Sequence, residues 1–307
     1  MTNQYSFLIF SFLLIATLIS RLFVAFKPGF EVNQVWKKIK TWWVISLLIC
    51  ACVHLGPFYL SFLLAIVLVY SMDEMLNLMG HGTKTESWGW KVTSVILFSL
   101  IQTQYFFFGL NFISLTTAFY FSCWLVFVFS ALAGSVSSYV KKIFGLMYLV
   151  LGLSAVPALG FKAMESDLQN PMAAIFFLIF ITSLNDIFQY LSGKIFKGPK
   201  LAPSISPNKT WSGLMGGVIG SGFVSVILTS NFLSMKPIDS FILGIALSLL
   251  GIIGDLTISI FKRRAQIKDT GTALAGHGGF LDRLDSLCMT ARPSLLSSGE
   301  LLNEIGR

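Results

Sequence analysis

Apolar runs of about 20 residues, separated by short polar, basic or Gly/Pro-bearing connections, occupy most of the chain. This pattern predicts membrane-crossing helices over roughly 5–26, 42–56, 58–76, 92–109, 112–133, 143–161, 171–192, 212–232 and 238–261. The second and third are joined by a tight turn at Gly56-Pro57. The expected fold is all-α, a polytopic integral membrane helical bundle of about nine transmembrane helices. With no tandem repeat and no separate polar segment large enough to fold alone, residues 1–307 read as a single membrane domain. The first span lacks a basic segment before it and a small-residue cleavage site, so it is expected to persist as a helix. After the ninth span the chain ends in a segment too polar to cross lipid by its own composition.

Composition supports this reading, with 55% hydrophobic and 12% charged residues and a mean hydropathy of +0.77. A net charge of +8 would suit a nucleic-acid partner if it were clustered on a soluble surface. With the N-terminus outside and nine spans, however, 19 of the 22 Lys/Arg fall on one side, so the basic side is assigned to the cytoplasm and no nucleic-acid partner is expected. The four cysteines, Cys50, Cys52, Cys123 and Cys288, lack zinc-ligand spacing and are expected as free thiols.

Three polar segments interrupt the apolar pattern in the C-terminal half. The seventh span becomes polar at Asn185-Asp186, and helical spacing sets Asp186, Tyr190 and Lys194 on one face near its cytoplasmic end. Asp186 there either faces a wet cavity or bonds a neighbouring helix. In the following loop Pro199, Pro203 and Pro207 exclude a continuous helix, and Ser206, Lys209, Thr210 and Ser212 bring donors to the start of the eighth span. Helix-start N–H groups beside Lys209 suit a phosphate, although a basic cytoplasmic loop needs no ligand to explain it.

The third segment, Asp255 to Asp285, packs four Asp, five Lys/Arg and His277 against the end of an apolar helix. Gly251, Asp255, Ser259 and Lys262 recur at i, i+4, i+8 and i+11, forming one polar stripe that must face protein or water. Beyond it lie Lys268-Asp269, the Gly-flanked His277 and Asp282 with Asp285. The glycines mark backbone that approaches something closely. Carboxylates without a second His or Cys at ligand spacing point to Mg²⁺ rather than zinc. Together these features suit phosphoryl or nucleotidyl transfer, which depends on charge neutralisation and alignment more than on covalent catalysis.

The run Ser259, Lys262-Arg263, Lys268-Asp269, His277-Gly278-Gly279 and Asp282-Arg283-Leu284-Asp285 resembles the signature of the phosphatidate cytidylyltransferases, or CDP-diglyceride synthetases. The loop Ser206-Pro207-Asn208-Lys209-Thr210 followed by Gly213 and Gly216-Gly217 resembles a second motif of that family. The resemblance covers roughly 176–290, the expected catalytic region, whereas 1–170 match only as a hydrophobic multi-span segment. It implies transfer of a cytidylyl group from CTP to phosphatidic acid, giving CDP-diacylglycerol and pyrophosphate, at the cytoplasmic side of a bacterial inner membrane. It implies that Asp255 and Asp269 bind Mg²⁺ with Asp186 as a third acid in the cavity. Lys209, Lys262, Arg263, Lys268 and Arg283 would neutralise phosphates, with His277 beside them. Tyr190, Ser206, Thr210, Ser259, Gly278 and Gly279 would contact substrate. Asp282 and Asp285 would either hold a second cation or orient the basic side chains. A homodimer is compatible with this reading.

This chain departs from the family pattern at Ser212, where Glu is usual, at Ala275, where Pro or Gly is usual, and in its polar tail. A catalytically impaired paralogue is therefore one alternative. A CTP-dependent polyprenol kinase is another, although it would need a base for a hydroxyl nucleophile. A transporter is disfavoured, because its charges would lie near the midplane of two repeats rather than at one membrane face.

Overall fold

A computed structural model describes residues 11, 14, 17, 18, 32–80, 83–108, 113–133, 136–165, 173–232, 235–273 and 278–305. Among these residues the chain forms nine helices and one two-stranded sheet. Helices α1 (Val32–Leu55), α2 (Pro57–Leu78), α3 (Lys84–Phe108), α4 (Ile113–Ala133) and α5 (Ser138–Glu165) make up the N-terminal half. They are followed by α6 (Ala173–Phe196), strands β1 (Lys200–Ala202) and β2 (Ser206–Thr210), α7 (Trp211–Phe232), α8 (Pro237–Arg264) and α9 (Leu281–Ile305). Among the described residues six segments are long and apolar enough to cross a membrane: Pro57–Leu78, Leu115–Ala133, Ser138–Phe161, Ala173–Phe196, Trp211–Thr229 and Pro237–Arg264. The protein is a multi-pass helical membrane bundle.

Eight of the helices coincide with expected spans, while the expected 5–26 span falls almost entirely outside the described residues. The ninth helix, α9, is the one that lies outside the expected spans. α9 packs against α5 and α8 and also touches α2, α4 and α6. Its polar residues Asp285, Ser286, Thr290, Arg292 and Ser294 are buried in the bundle. The part of α9 up to Ser294 is therefore internal, and its buried polar groups are met by protein rather than lipid.

The turn between α1 and α2 forms as expected. Gly56 takes φ +116°, a left-handed value open to glycine, and Pro57 occupies the first turn of α2, where its missing N–H costs nothing. α5 is the central post, contacting α2, α3, α4, α6 and α9, with Tyr148, Leu149 and Leu153 fully buried in the main core. A smaller apolar cluster, Phe177, Ile181 and Leu247, joins α6 to α8. On the face carrying the basic loops, Lys142 of α5 donates to Glu86 of α3 at 2.7 Å. That hydrogen bond holds the Glu86 carboxyl below the usual carboxylate range.

α9 fits a slot with glycine on two walls. A Cβ at Gly152 of α5 would come within 2.9 Å of the Cys288 Cβ and carbonyl oxygen, and one at Gly254 of α8 would collide with the Asp285 carbonyl. The same carbonyls accept tyrosine hydroxyls, Tyr120 to Cys288 at 2.8 Å and Tyr148 to Asp285 at 2.9 Å. The four cysteines are free thiols, as expected.

Candidate active site

The prolines between α6 and α7 stop the helix, as their spacing predicts, and the released chain folds into the β1–β2 hairpin rather than an irregular loop. Its return strand carries Lys209 and Thr210 to the start of α7. Thr210 Oγ1 accepts the Gly213 N–H at 3.1 Å, capping the helix. Ser212, at the position where the resembling family has Glu, donates its hydroxyl to the Lys197 carbonyl and secures the hairpin base. Arg263 serves the same structure. It is exposed and donates to the Ile205 carbonyl at 2.9 Å and the Ile267 carbonyl at 3.0 Å, so its guanidinium braces the hairpin tip in this conformation.

The polar stripe of α8 forms as its period predicts, and its two charged members meet other motifs. Lys209 pairs with Asp255 at 2.6 Å, and Ser259 donates to the other Asp255 oxygen at 3.2 Å. One turn further, Lys262 pairs with Asp282 at 2.7 Å. These two ion pairs tie the hairpin and the first turn of α9 to one helix. Asp186 opens to solvent within electrostatic reach of Asp255, Lys209 and Arg283. Asp285 is buried within reach of Asp255, Lys262 and Asp186. Four carboxylates and three cations thus share one cluster.

Other expected site residues lie elsewhere. Tyr190 is exposed on the same α6 face as Asp186, and its hydroxyl accepts from Lys194 at 3.3 Å. Ser206 begins β2, away from the α7 start. Lys268 and Asp269 are exposed on the loop after α8, with Asp269 beside Gly278. His277 and Ala275 lie outside the described residues. Gly278, at φ +82°, and Gly279 do mark a close backbone approach, but the approaching groups are protein carboxylates. A Cβ at Gly278 would come within 2.6 Å of Asp282 Oδ2, and one at Gly279 would strike Glu74. Asp282 Oδ2 accepts the N–H groups of Thr270 at 2.9 Å and Gly279 at 3.1 Å, which makes it an organiser of the loop as well as the partner of Lys262.

Two contributors escape sequence reasoning. Glu74, near the end of α2, accepts from Thr270, Phe280 and Leu281. It reads in the sequence as an ordinary acid at a helix end. Asn185, only 1% exposed, accepts from Ser248 at 2.6 Å and Ser221 at 3.4 Å, joining α6, α7 and α8 behind the charged cluster.

The donor set is compatible with Mg²⁺. Among the described residues no group of three or more His, Cys, Asp or Glu is gathered as a metal cage. Mg²⁺ does not need one, since it keeps several waters and is typically held by one or two carboxylates together with substrate phosphates. Asp255, with Asp186 close by, offers hard oxygen donors of that kind.

The cytidylyltransferase family pattern matches residues 36–296, most of the chain. The chain belongs to the cytidylyltransferase family. A full-length relative is the uncharacterized protein YnbB of Escherichia coli (strain K12), 30% identical over 292 residues, covering 92% of this chain and 93% of that protein. The phosphatidate cytidylyltransferase of Rickettsia felis is 43% identical over 155 residues, covering 47% of this chain and 67% of the relative. That of Brucella abortus biovar 1 is 38% identical over 134 residues, 44% of this chain and 50% of the relative. Membership in the family brings the resemblance noted for 176–290 together with a match that extends into the N-terminal helices.

Proposed function

We propose that this cytidylyltransferase moves the cytidylyl group of CTP to phosphatidic acid, giving CDP-diacylglycerol and pyrophosphate, at the cytoplasmic face of a bacterial inner membrane. The observation that carries the reading is the pair of ion pairs Lys209–Asp255 and Lys262–Asp282, which hold two lysines and two carboxylates from three separate segments together beside the open Asp186. Each lysine is already aimed at a carboxylate oxygen, and a phosphate oxygen presents the same kind of acceptor. Lys209 and Lys262 would turn toward the triphosphate and the lipid phosphate, with Arg283 at the mouth of the cluster. Asp255, with Asp186, would hold Mg²⁺, which when bound supplies charge neutralisation across the triphosphate. An ionised phosphate monoester is its own nucleophile, so the site needs no strong general base.

Purified protein in detergent should release pyrophosphate from labelled CTP only when phosphatidic acid and Mg²⁺ are both present. Formation of CDP with phosphorylation of a diacylglycerol or polyprenol hydroxyl would replace this reading with a kinase. A second reading, the impaired paralogue, draws on Ser212, whose hydroxyl bonds the Lys197 carbonyl where the family's Glu would bring a carboxylate. Absence of transfer in wild-type protein, with activity appearing in Ser212→Glu, would favour that second reading.

A further inference from the structure

The loop between α8 and α9 carries Asp269, Gly278 and Gly279 and leads directly into Asp282. Within the C-terminal half it is held by Asp282. Across the bundle it meets a single acid from α2, about 200 residues earlier in the chain. Glu74 is 8% exposed. Its Oε1 accepts the Phe280 N–H at 3.1 Å, and its Oε2 accepts the Leu281 N–H at 2.8 Å and the Thr270 hydroxyl at 2.9 Å. Thr270 Oγ1 also lies 3.0 Å from Asp282 Oδ2, so one hydroxyl links the Glu74 carboxylate to the partner of Lys262. The N–H groups of Phe280 and Leu281 lie at the start of α9, where donors have no partner within the helix. A carboxylate there satisfies them and favours the positive end of the helix dipole. Gly271 and Gly279 leave space for this carboxylate, since a Cβ at Gly271 would come within 2.6 Å of Glu74 Oε1 and one at Gly279 would collide with Oε2.

We infer that Glu74 is a positioning residue for the transfer reaction, a clamp by which the N-terminal half fixes the glycine loop and, through Thr270 and Asp282, the direction of the Lys262 ammonium. It touches no reacting atom in this role. The inference rests on the proposed transfer for its kinetic consequence, but its structural half stands apart from any activity.

Gln at this position keeps the volume but offers one acceptor oxygen, and turns an N–H₂ donor toward a donor N–H. At least one bond to the loop is lost. Hydrogen–deuterium exchange of wild type, Glu74→Gln and Thr270→Val in detergent should show the amides of 278–282 exchanging about tenfold faster or more in Glu74→Gln, with a smaller rise in Thr270→Val. The kcat for transfer should fall by about 10- to 100-fold, as is common when a group orienting a site is lost, with the melting temperature nearly unchanged. Glu86→Gln, which weakens the bond to Lys142 and leaves the Glu74 bonds intact, should leave exchange at 278–282 and turnover at wild-type levels. Wild-type exchange rates at 278–282 in Glu74→Gln would overturn the clamp, whatever the activity. Faster exchange with unchanged kcat would overturn the positioning role. If Glu74→Gln does not fold, wild-type exchange and turnover in Thr270→Val would overturn the inference, and a partial rise in exchange with a partial fall in kcat would support it. If wild type transfers nothing to phosphatidic acid, the exchange result decides the clamp alone.

Discussion

Helices α8 and α9 lie side by side and solve opposite problems. α8 is apolar over most of its surface and carries a polar stripe, Asp255, Ser259 and Lys262, that faces the site. α9 is rich in polar residues, yet over Leu284–Ser294 it lies inside the bundle, and its buried groups are answered one by one. Arg292, with no exposed surface, donates to the Leu151 carbonyl at 2.8 Å, the Thr116 hydroxyl at 2.9 Å and the Ser154 hydroxyl at 3.3 Å. The contrast teaches that a membrane constrains what a helix shows to lipid, not what it is made of. α8 shows a face to lipid; α9 is enclosed by α2, α4, α5, α6 and α8.

The harshest way to break this comparison is to remove its polar member. A chain ended after Phe280 loses the helix that both halves pack against, and strips the partners from Tyr120, Tyr148 and Lys262 and one of three from Glu74. Such a protein should fail to accumulate as a monodisperse species in detergent, whereas loss of α9 from a bundle that did not need it would leave a well-behaved particle. On α8 the corresponding test is chemical. Asp255→Asn keeps the shape but removes the charge opposite Lys209, and turnover should fall by about a hundredfold or more while the protein still purifies and melts normally. Near-normal Mg²⁺-dependent turnover would remove Asp255 from the site.

The smallest effect sharpens the contrast through two arginines. Arg292→Met loses three charge-assisted bonds but relieves a buried cation, so a net cost of about 1–3 kcal/mol is expected. Arg263→Met, on the exposed end of α8, should cost about 1 kcal/mol or less. Thermal unfolding in detergent compares them directly. Equal destabilisation would mean that α9 is not enclosed as described.

What the sequence made legible followed from these physical differences. The α8 stripe could be found because a 3.6-residue period of polar positions stands out on an apolar helix, and its partner segments carried a recognisable signature. α9 could not, because hydropathy measures fitness for lipid, and the carbonyls of Leu151 and Ser154 that make Arg292 and Gln102 tolerable come from a distant part of the chain. Glu74 stayed hidden for a related reason. An acid near the end of a span normally faces solvent, and only the fold brings the N–H groups of residues 280 and 281 to it. The prolines correctly excluded a helix over 199–207, but strands of three and five residues held by Arg263 leave no periodic trace.

The glycine-walled slot has a consequence for biogenesis. Synthesis is vectorial, so α5 and α8 are made before α9 leaves the ribosome, and Gly152 and Gly254 keep a groove between them that no larger side chain could leave open. Asp282 therefore arrives after every group its carboxylate bonds. The nascent protein can form the Lys209–Asp255 pair early but holds Lys262 without its counter-charge until α9 docks, so the charged cluster is completed in a late step.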